Sequence, residues 1–249
     1  MQPKALVLFG DGINCEDETI FALIEVGFSA SLVHVTDLLN NSKCLDTCQL
    51  FIVPGGFSFA DEIRSGKVLA LKLKDKLLSQ LTQFIDQGKF LFGICNGFQV
   101  LTSLGLLPDL SFGPHTTALA RNQTGKFSNH WVKMLVNENI KSPFLKDLKT
   151  MTLPTRHGEG RLVVAPEIVS SVKQLACLRY ENNFNGSFDS IAALTNKKGN
   201  VFGIMPHPEA FIRWSQHPAW TSLYKDDNDL LNKSPDGLVF FRNAFNALQ

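Results

Sequence analysis

The sequence predicts an α/β fold, a doubly wound, mostly parallel sheet with helices on both faces and a small antiparallel extension. Three observations carry this expectation. The runs Lys4 to Phe9, Leu50 to Val53, Phe90 to Ile94 and Val201 to Met205 are continuously apolar, as strands covered on both faces of a parallel sheet are. Helical spacing fills intervals between them. The middle of the chain changes character, with short candidate strands at Ala118 to Ala120, Trp131 to Val136, Arg161 to Val164 and Leu175 to Tyr180 joined by turns, a pattern of antiparallel pairing.

Taken in order, the strand at Lys4 to Phe9 is stopped by Gly10-Asp11-Gly12. From Asp17, the residues Ile20, Phe21, Leu23, Ile24 and Val26 approximate one face of a helix, which Gly27 ends before a strand at Ser29 to Val35. Leu50 to Val53 is broken by Pro54-Gly55-Gly56, and Val68 to Ile85 reads as a long amphipathic helix ending at Gly88. The strand Phe90 to Ile94 has Cys95 at its end. Val201 to Met205 runs into Pro206-His207-Pro208-Glu209, and a last helix spans about Pro235 to Leu248. No repeat, low-complexity tract or linker divides the chain, so residues 1–249 are expected to form a single domain. Strand and helix alternation places ligands at the carboxyl ends of the parallel strands.

Composition narrows the function. The chain has 249 residues, 44% hydrophobic and 19% charged, with 24 Lys plus Arg against 23 Asp plus Glu. A net charge of +1 provides no field for nucleic acid or an anionic membrane. The N-terminal apolar run is too short for a signal-peptide core or a membrane span. Five cysteines at irregular spacing form no disulfide framework and fit a reducing cytoplasm. Cys44 and Cys48 lack a second Cys/His pair at zinc spacing, so no metal site is expected, and Cys15, Cys44, Cys48 and Cys177 read as small fillers or incidental thiols.

The chemistry concentrates at three strand ends. Phe90 to Gln99 is a strand, a G-x-C-x-G turn at Gly93-Ile94-Cys95-Asn96-Gly97, and a helix start. This is a nucleophile elbow, in which small neighbours allow a sharp turn that presents the thiol. The helix N-terminus behind it favours the thiolate. A thiolate mechanism needs a base and a group to orient that base, and His207 and Glu209 supply both beyond another strand end. Val53-Pro54-Gly55-Gly56-Phe57-Ser58 exposes backbone N–H groups that form half an oxyanion hole, completed by the N–H of Asn96. Cys95, His207 and Glu209 are the candidate catalytic residues, and Gly55, Gly56, Phe57, Asn96 and Gln99 the candidate substrate contacts.

With these segments in view, the chain resembles the class I glutamine amidotransferases, a flavodoxin-like family built on a Cys, His, Glu triad. Pro54 to Asp61, Gly93 to Gln99, His157-Gly158-Glu159-Gly160 and Met205 to Glu209 resemble the branch of that family that serves phosphoribosylformylglycinamidine synthase in purine biosynthesis. Lesser matches at Asn14-Cys15-Glu16, Leu119 to Asn122 and Asn182 to Ser187 extend the resemblance over nearly the whole chain. It implies that glutamine is hydrolysed at Cys95 with His207 and Glu209 as its partners, that Gly56 and Asn96 lie near the oxyanion, and that Gln99 contacts bound glutamine. It implies a synthetase partner subunit, with a small bridging subunit as a further candidate partner, and no cofactor on this chain. ATP and Mg are expected on the partner, since no G-x-x-x-x-G-K-[ST] loop occurs here and Gly10-Asp11-Gly12 lacks the spacing of a dinucleotide fingerprint.

The resemblance also puts the His157–Glu159 segment, read as a loop between strands, near the glutaminase pocket or the subunit interface, with Arg121 and Arg161 as docking candidates. Two departures stand out: Ala210 replaces the arginine that usually follows Pro-Glu, with Arg213 later, and Phe211 to Asn232 is a longer segment than expected, read as a lid, an interface element or a lineage-specific loop. Two rival readings use the same residues. One is a glutaminase serving a different ammonia-using synthase, against which Phe57 to Asp61 and His157 to Gly160 argue. The other is a non-catalytic protein with Cys95 as a redox sensor, which would need neither His207 nor Glu209.

Overall fold

The computed structural model describes residues 2–113, 115–140 and 142–249. Its elements are β1 (Lys4–Phe9), α1 (Glu16–Glu25), β2 (Ser29–His34), α2 (Val35–Asn40), α3 (Cys44–Thr47), β3 (Leu50–Val53), α4 (Lys67–Asp86), β4 (Phe90–Ile94) and α5 (Asn96–Leu104). They continue with β5 (Thr117–Ala120), β6 (Ser128–Val136), β7 (Thr150–His157), β8 (Arg161–Val164), α6 (Val169–Leu175), β9 (Ala176–Tyr180), β10 (Ile191–Thr195), β11 (Val201–Ile204), α7 (Trp220–Asp226) and α8 (Asp236–Ala247).

One sheet runs in the order β2-β1-β3-β4-β11-β10-β9-β6-β7, and β5 pairs with β8 apart from it. The first five places are parallel and the rest antiparallel. The antiparallel extension is therefore a continuation of the main sheet, with β5 and β8 as a separate ribbon.

Opposite coverage of the two faces is visible in adjacent residues. Phe92 meets Phe240 of α8 at 4.7 Å between ring centres, whereas a Cβ on the next residue, Gly93, would fall 2.7 Å from the Gly97 carbonyl in α5. Successive strand residues point to opposite faces, so α8 and α5 lie on opposite sides of β4. Phe92, Phe144, Phe202 and Phe240 are all buried within one aromatic cluster on the α8 side, large apolar side chains that dominate core energetics.

Two strands are absent from the sequence expectation. β7 carries Pro154, which reads against a strand, but β7 is the last strand of the sheet, and an edge strand tolerates a missing N–H. β10 is Ile191-Ala192-Ala193-Leu194-Thr195, wholly buried, and its small alanines hide the usual strand signal.

The first part of the 211–232 segment packs onto the body of the fold, whereas α7 within it has no buried residue. Phe211 and His217 stack against Trp131 at 4.9 and 4.5 Å, the Trp214 indole donates to the Lys233 carbonyl at 2.8 Å, and the Arg213 guanidinium lies over Phe21, 4.8 Å from the ring centre. No described helix is long and apolar enough to cross a membrane.

Candidate active site

Register brings the three sequence signals to one place. Val53 pairs with Gly93 and Ile204 with Ile94 in parallel ladders, so the segments after β3, β4 and β11 leave the sheet side by side. Cys95 has φ +49° and ψ −102°, a conformation forbidden to most side-chain-bearing residues and characteristic of a strained nucleophile turn. Its N–H donates to the Ile204 carbonyl at 2.7 Å, tying the elbow to the strand that carries the histidine. A Cβ on Gly97 would fall 1.8 Å from the Val53 carbonyl oxygen. Only glycine allows α5 to start this close to β3.

His207 and Glu209 are buried and joined by a 2.6 Å bond from Nδ1 to Oε1. The bond fixes the tautomer: Nδ1 carries the proton, and Nε2 is left to act on the nucleophile. Nε2 has no hydrogen-bond partner among the described residues. Burial opposes charge on this imidazole, but the Glu209 carboxylate and the Cys95 sulfur outweigh it and hold His207 well above the usual histidine range. Cys95 and His207 leave neighbouring parallel strands, β4 and β11, at the same end of the sheet. The His207 N–H donates to the Pro154 carbonyl at 2.9 Å, and the Cys95 thiol approaches the Arg156 carbonyl at 3.8 Å. The sheet therefore curls until β7, its last strand, returns over the ends of β4 and β11.

The oxyanion segment is built from backbone. Gly56 sits at φ +146° opposite Ile13 in an isolated antiparallel bridge, and a Cβ there would fall 2.8 Å from backbone atoms of the 12–14 loop. The flanking bonds, Phe57 N–H to the Gly12 carbonyl at 2.7 Å and Asn14 N–H to the Gly55 carbonyl at 3.4 Å, leave the Gly56 N–H outside this ladder, on its other side. Phe57 does not offer its amide to substrate, because Gly12 occupies it. Its half-exposed ring is instead part of the pocket wall.

Asn96 and Gln99 are both buried. Asn96 Nδ2 donates to Gln99 Oε1 at 3.1 Å and to Asp61 Oδ1 at 3.3 Å, while Gln99 Nε2 donates to the Glu159 carbonyl at 2.5 Å. Gln99 thus anchors the 157–160 segment as well as lining the pocket. This cleft, of about 310 Å³, is lined by Gly56, Cys95, Gln99, Arg156 and Glu159 among others, a size suited to one small ligand. A larger depression of about 730 Å³ around Ile140 and Leu148 contains none of these residues.

His157 is the last residue of β7 rather than part of a loop. Its Nδ1 lies 3.0 Å from Asn122 Oδ1, which also accepts from Gly160 N–H at 3.2 Å. Asn122 Nδ2 meanwhile donates to the His157 carbonyl at 2.8 Å. Burial, aided by the positive field of His207, lowers the His157 pKa to about 3, so this ring stays neutral. Asn185 and Ser187 brace the same wall: Asn185 Nδ2 donates to the Gly160 carbonyl at 3.0 Å and Leu162 N–H to Ser187 Oγ at 3.2 Å. Glu159 accepts from Ser65 N–H at 3.2 Å and lies 3.7 Å from the exposed Arg121 guanidinium, whose carbonyl in turn accepts from Arg161 at 3.0 Å.

Comparison with known proteins agrees with this geometry. A family model described as a CobB/CobQ-like glutamine amidotransferase domain matches residues 2–246. The chain belongs to this family. A phosphoribosylformylglycinamidine synthase subunit PurQ of Methanococcus maripaludis is 34% identical, covering 97% of this chain and 96% of the relative. PurQ of Thermotoga maritima is 38% identical over 85% of this chain and 90% of its own. A chain in the solved structure of PurLQS from Thermotoga maritima superposes with a TM-score of 0.77 at 33% identity, with full coverage of both chains. This amidotransferase therefore sits in the PurQ branch.

Sequence reasoning missed one neighbour of the triad. Cys15, read as a filler, has its sulfur 4.0 Å from His207 Nδ1. Its position 192 residues away in the chain left no spacing signal, although Asn14-Cys15-Glu16 had entered through the family resemblance.

Proposed function

We propose that the chain is the glutaminase subunit of a phosphoribosylformylglycinamidine synthase, hydrolysing glutamine at Cys95 and passing ammonia to an ATP-dependent synthetase subunit. The observation that carries this reading is the buried His207–Glu209 pair, with Nε2 free, beside a strained cysteine elbow at the mouth of a small cleft. In the reaction, His207 Nε2 takes the Cys95 proton and the thiolate attacks the carboxamide carbon of glutamine. The oxygen that gains charge accepts from the N–H groups of Gly56 and Asn96. His207 returns the proton to the amide nitrogen, the C–N bond breaks, and ammonia leaves a γ-glutamyl thioester. Water, activated by the same imidazole, then releases glutamate.

The name carried by the relatives supports a synthetase partner, and the PurLQS assembly supports a multisubunit enzyme in which a small bridging subunit takes part. ATP and Mg belong to the partner in this reading. The test is intact-mass analysis after exposure to a diazo-oxo-norleucine electrophile, alone and with the synthetase. A single adduct on Cys95, blocked by glutamine, is expected. Labelling spread over Cys44 and the other thiols, or none even in the complex, overturns the reading.

A further inference from the structure

The loop after β1 sets a second thiol behind the catalytic pair. Cys15 Sγ, His207 Nδ1 and a Glu209 carboxylate oxygen all lie within 4.8 Å of one another, each on a buried residue. Glu209 is 1% exposed, and its Oε2 has no hydrogen-bond partner among the described residues, a buried acceptor left without a donor. A Cβ on Gly55 would fall 3.2 Å from Cys15 Sγ and 2.8 Å from His207 Cε1, so a glycine here keeps sulfur and imidazole facing each other. Glu18, in the first turn of α1, has its carboxyl pKa pushed up by burial and by the Glu209 charge. A carboxylate and a thiol thus flank one imidazole, and one carboxylate oxygen among them is left without a partner among the described residues.

We propose that Cys15, His207 and Glu209 form a binding site for a thiophilic divalent cation of the zinc class, and that its occupancy switches the triad off. The donor set, one sulfur, one imidazole nitrogen and one carboxylate, is the borderline-soft set such ions select. Zinc bond lengths of about 2.3 Å to sulfur and 2.0–2.1 Å to nitrogen imply a tetrahedral S···N edge of about 3.6 Å. The observed 4.0 Å is within a few tenths of an ångström of that. The 2.6 Å Nδ1–Oε1 bond must open, with the ion taking the place of the shared proton and water completing the coordination. The Cys15 proton passes to solvent, and the single proton of the ring moves from Nδ1 to Nε2. Such a ring cannot accept the Cys95 proton, which is why binding inhibits. The cleft lined by Asp11, Asn14 and Glu62 includes the chain neighbour of Cys15 and carries two carboxylates. Spacing in the sequence could not show this set, because the fold alone joins residue 15 to residues 207 and 209.

The inhibitory consequence rests on the glutaminase reading, but the binding does not. Titrating the full chain with Co²⁺, a spectroscopic stand-in for zinc, should produce a sulfur-to-cobalt charge-transfer band that saturates at one equivalent. The band should persist in Cys95→Ala and in a Cys44→Ser, Cys48→Ser double variant, and vanish in Cys15→Ala and in the near-isosteric Cys15→Ser, which keeps the packing if the alanine variant fails to fold. Zn²⁺ should inhibit glutamine hydrolysis by the complex, with about tenfold or more zinc needed in Cys15→Ser. A band that survives Cys15→Ser, follows Cys95 instead, or is absent from the wild-type chain overturns the proposal. Failure of the glutaminase reading would look different: no glutamine hydrolysis and no Cys95 adduct, with the cobalt band intact.

Discussion

The parallel and antiparallel halves of the sheet contribute to the site in different ways. The parallel half supplies the candidate reacting groups, each one to three residues beyond a buried strand: Gly56 after β3, Cys95 after β4 and His207 after β11. The antiparallel half supplies the wall, through Arg156 and His157 at the end of β7 and the loop to Glu159, braced by Asn122 and Asn185. Chemistry is thus encoded locally, in short motifs at strand ends, while the pocket that confines it is assembled from hydrogen bonds between distant segments.

The largest effect should come from the parallel half. Cys95→Ala is expected to lower glutamine-supported amidation in the complex by about 10⁴-fold or more, with synthesis from added ammonium salts unchanged. Equal loss of both would show that the elbow mainly supports docking and that the division between halves is wrong. Next is Gly97→Ala, whose Cβ would fall 1.8 Å from the Val53 carbonyl oxygen. Forcing α5 off β3 should cost about 3 kcal/mol or more, visible as a lowered denaturation midpoint together with loss of Cys95 labelling.

In the wall, Asn122→Ala leaves the His157 ring N–H and the Gly160 N–H without their shared acceptor. A loss of about 2 kcal/mol is expected, with KM for glutamine rising more than kcat falls. An unchanged KM would mean that the wall does not shape substrate binding.

The smallest of these effects follows pH. The folded-state pKa of His157 is about 3, well below its ordinary value of 6.5. Between those values the unfolded chain binds a proton that the folded chain refuses, so the stability linked to this ring is complete above about pH 6.5 and is lost as pH falls toward 3. His157→Gln should flatten part of that acid loss in denaturant titrations at pH 5 and pH 8. An equally steep loss in the variant would place its source elsewhere.

Much of this was readable in advance because of how each signal arises. β1, β3 and β4 begin and end where the apolar runs do, since a strand buried on both faces must be apolar throughout. The nucleophile turn declared itself because Gly93 and Gly97 are demanded by close backbone approach. β7 was hidden by Pro154, which only an edge position makes harmless, and that position is a property of the whole sheet. Asn183, Asn185 and Ser187 gave a motif without a role, and the fold assigns them to bracing the 157–162 wall.

The sequence by itself determined the α/β class and the parallel strands and singled out Cys95, His207 and Glu209 as candidates, because periodicity and turn chemistry act over a few neighbouring residues. Only the tertiary structure decided that β7 curls back to hold the His207 backbone through Pro154, that the His157 ring is held neutral by burial, and that Cys15 faces the His207 imidazole. Each depends on long-range packing and on the removal of water around charged groups, quantities that no local stretch of sequence specifies.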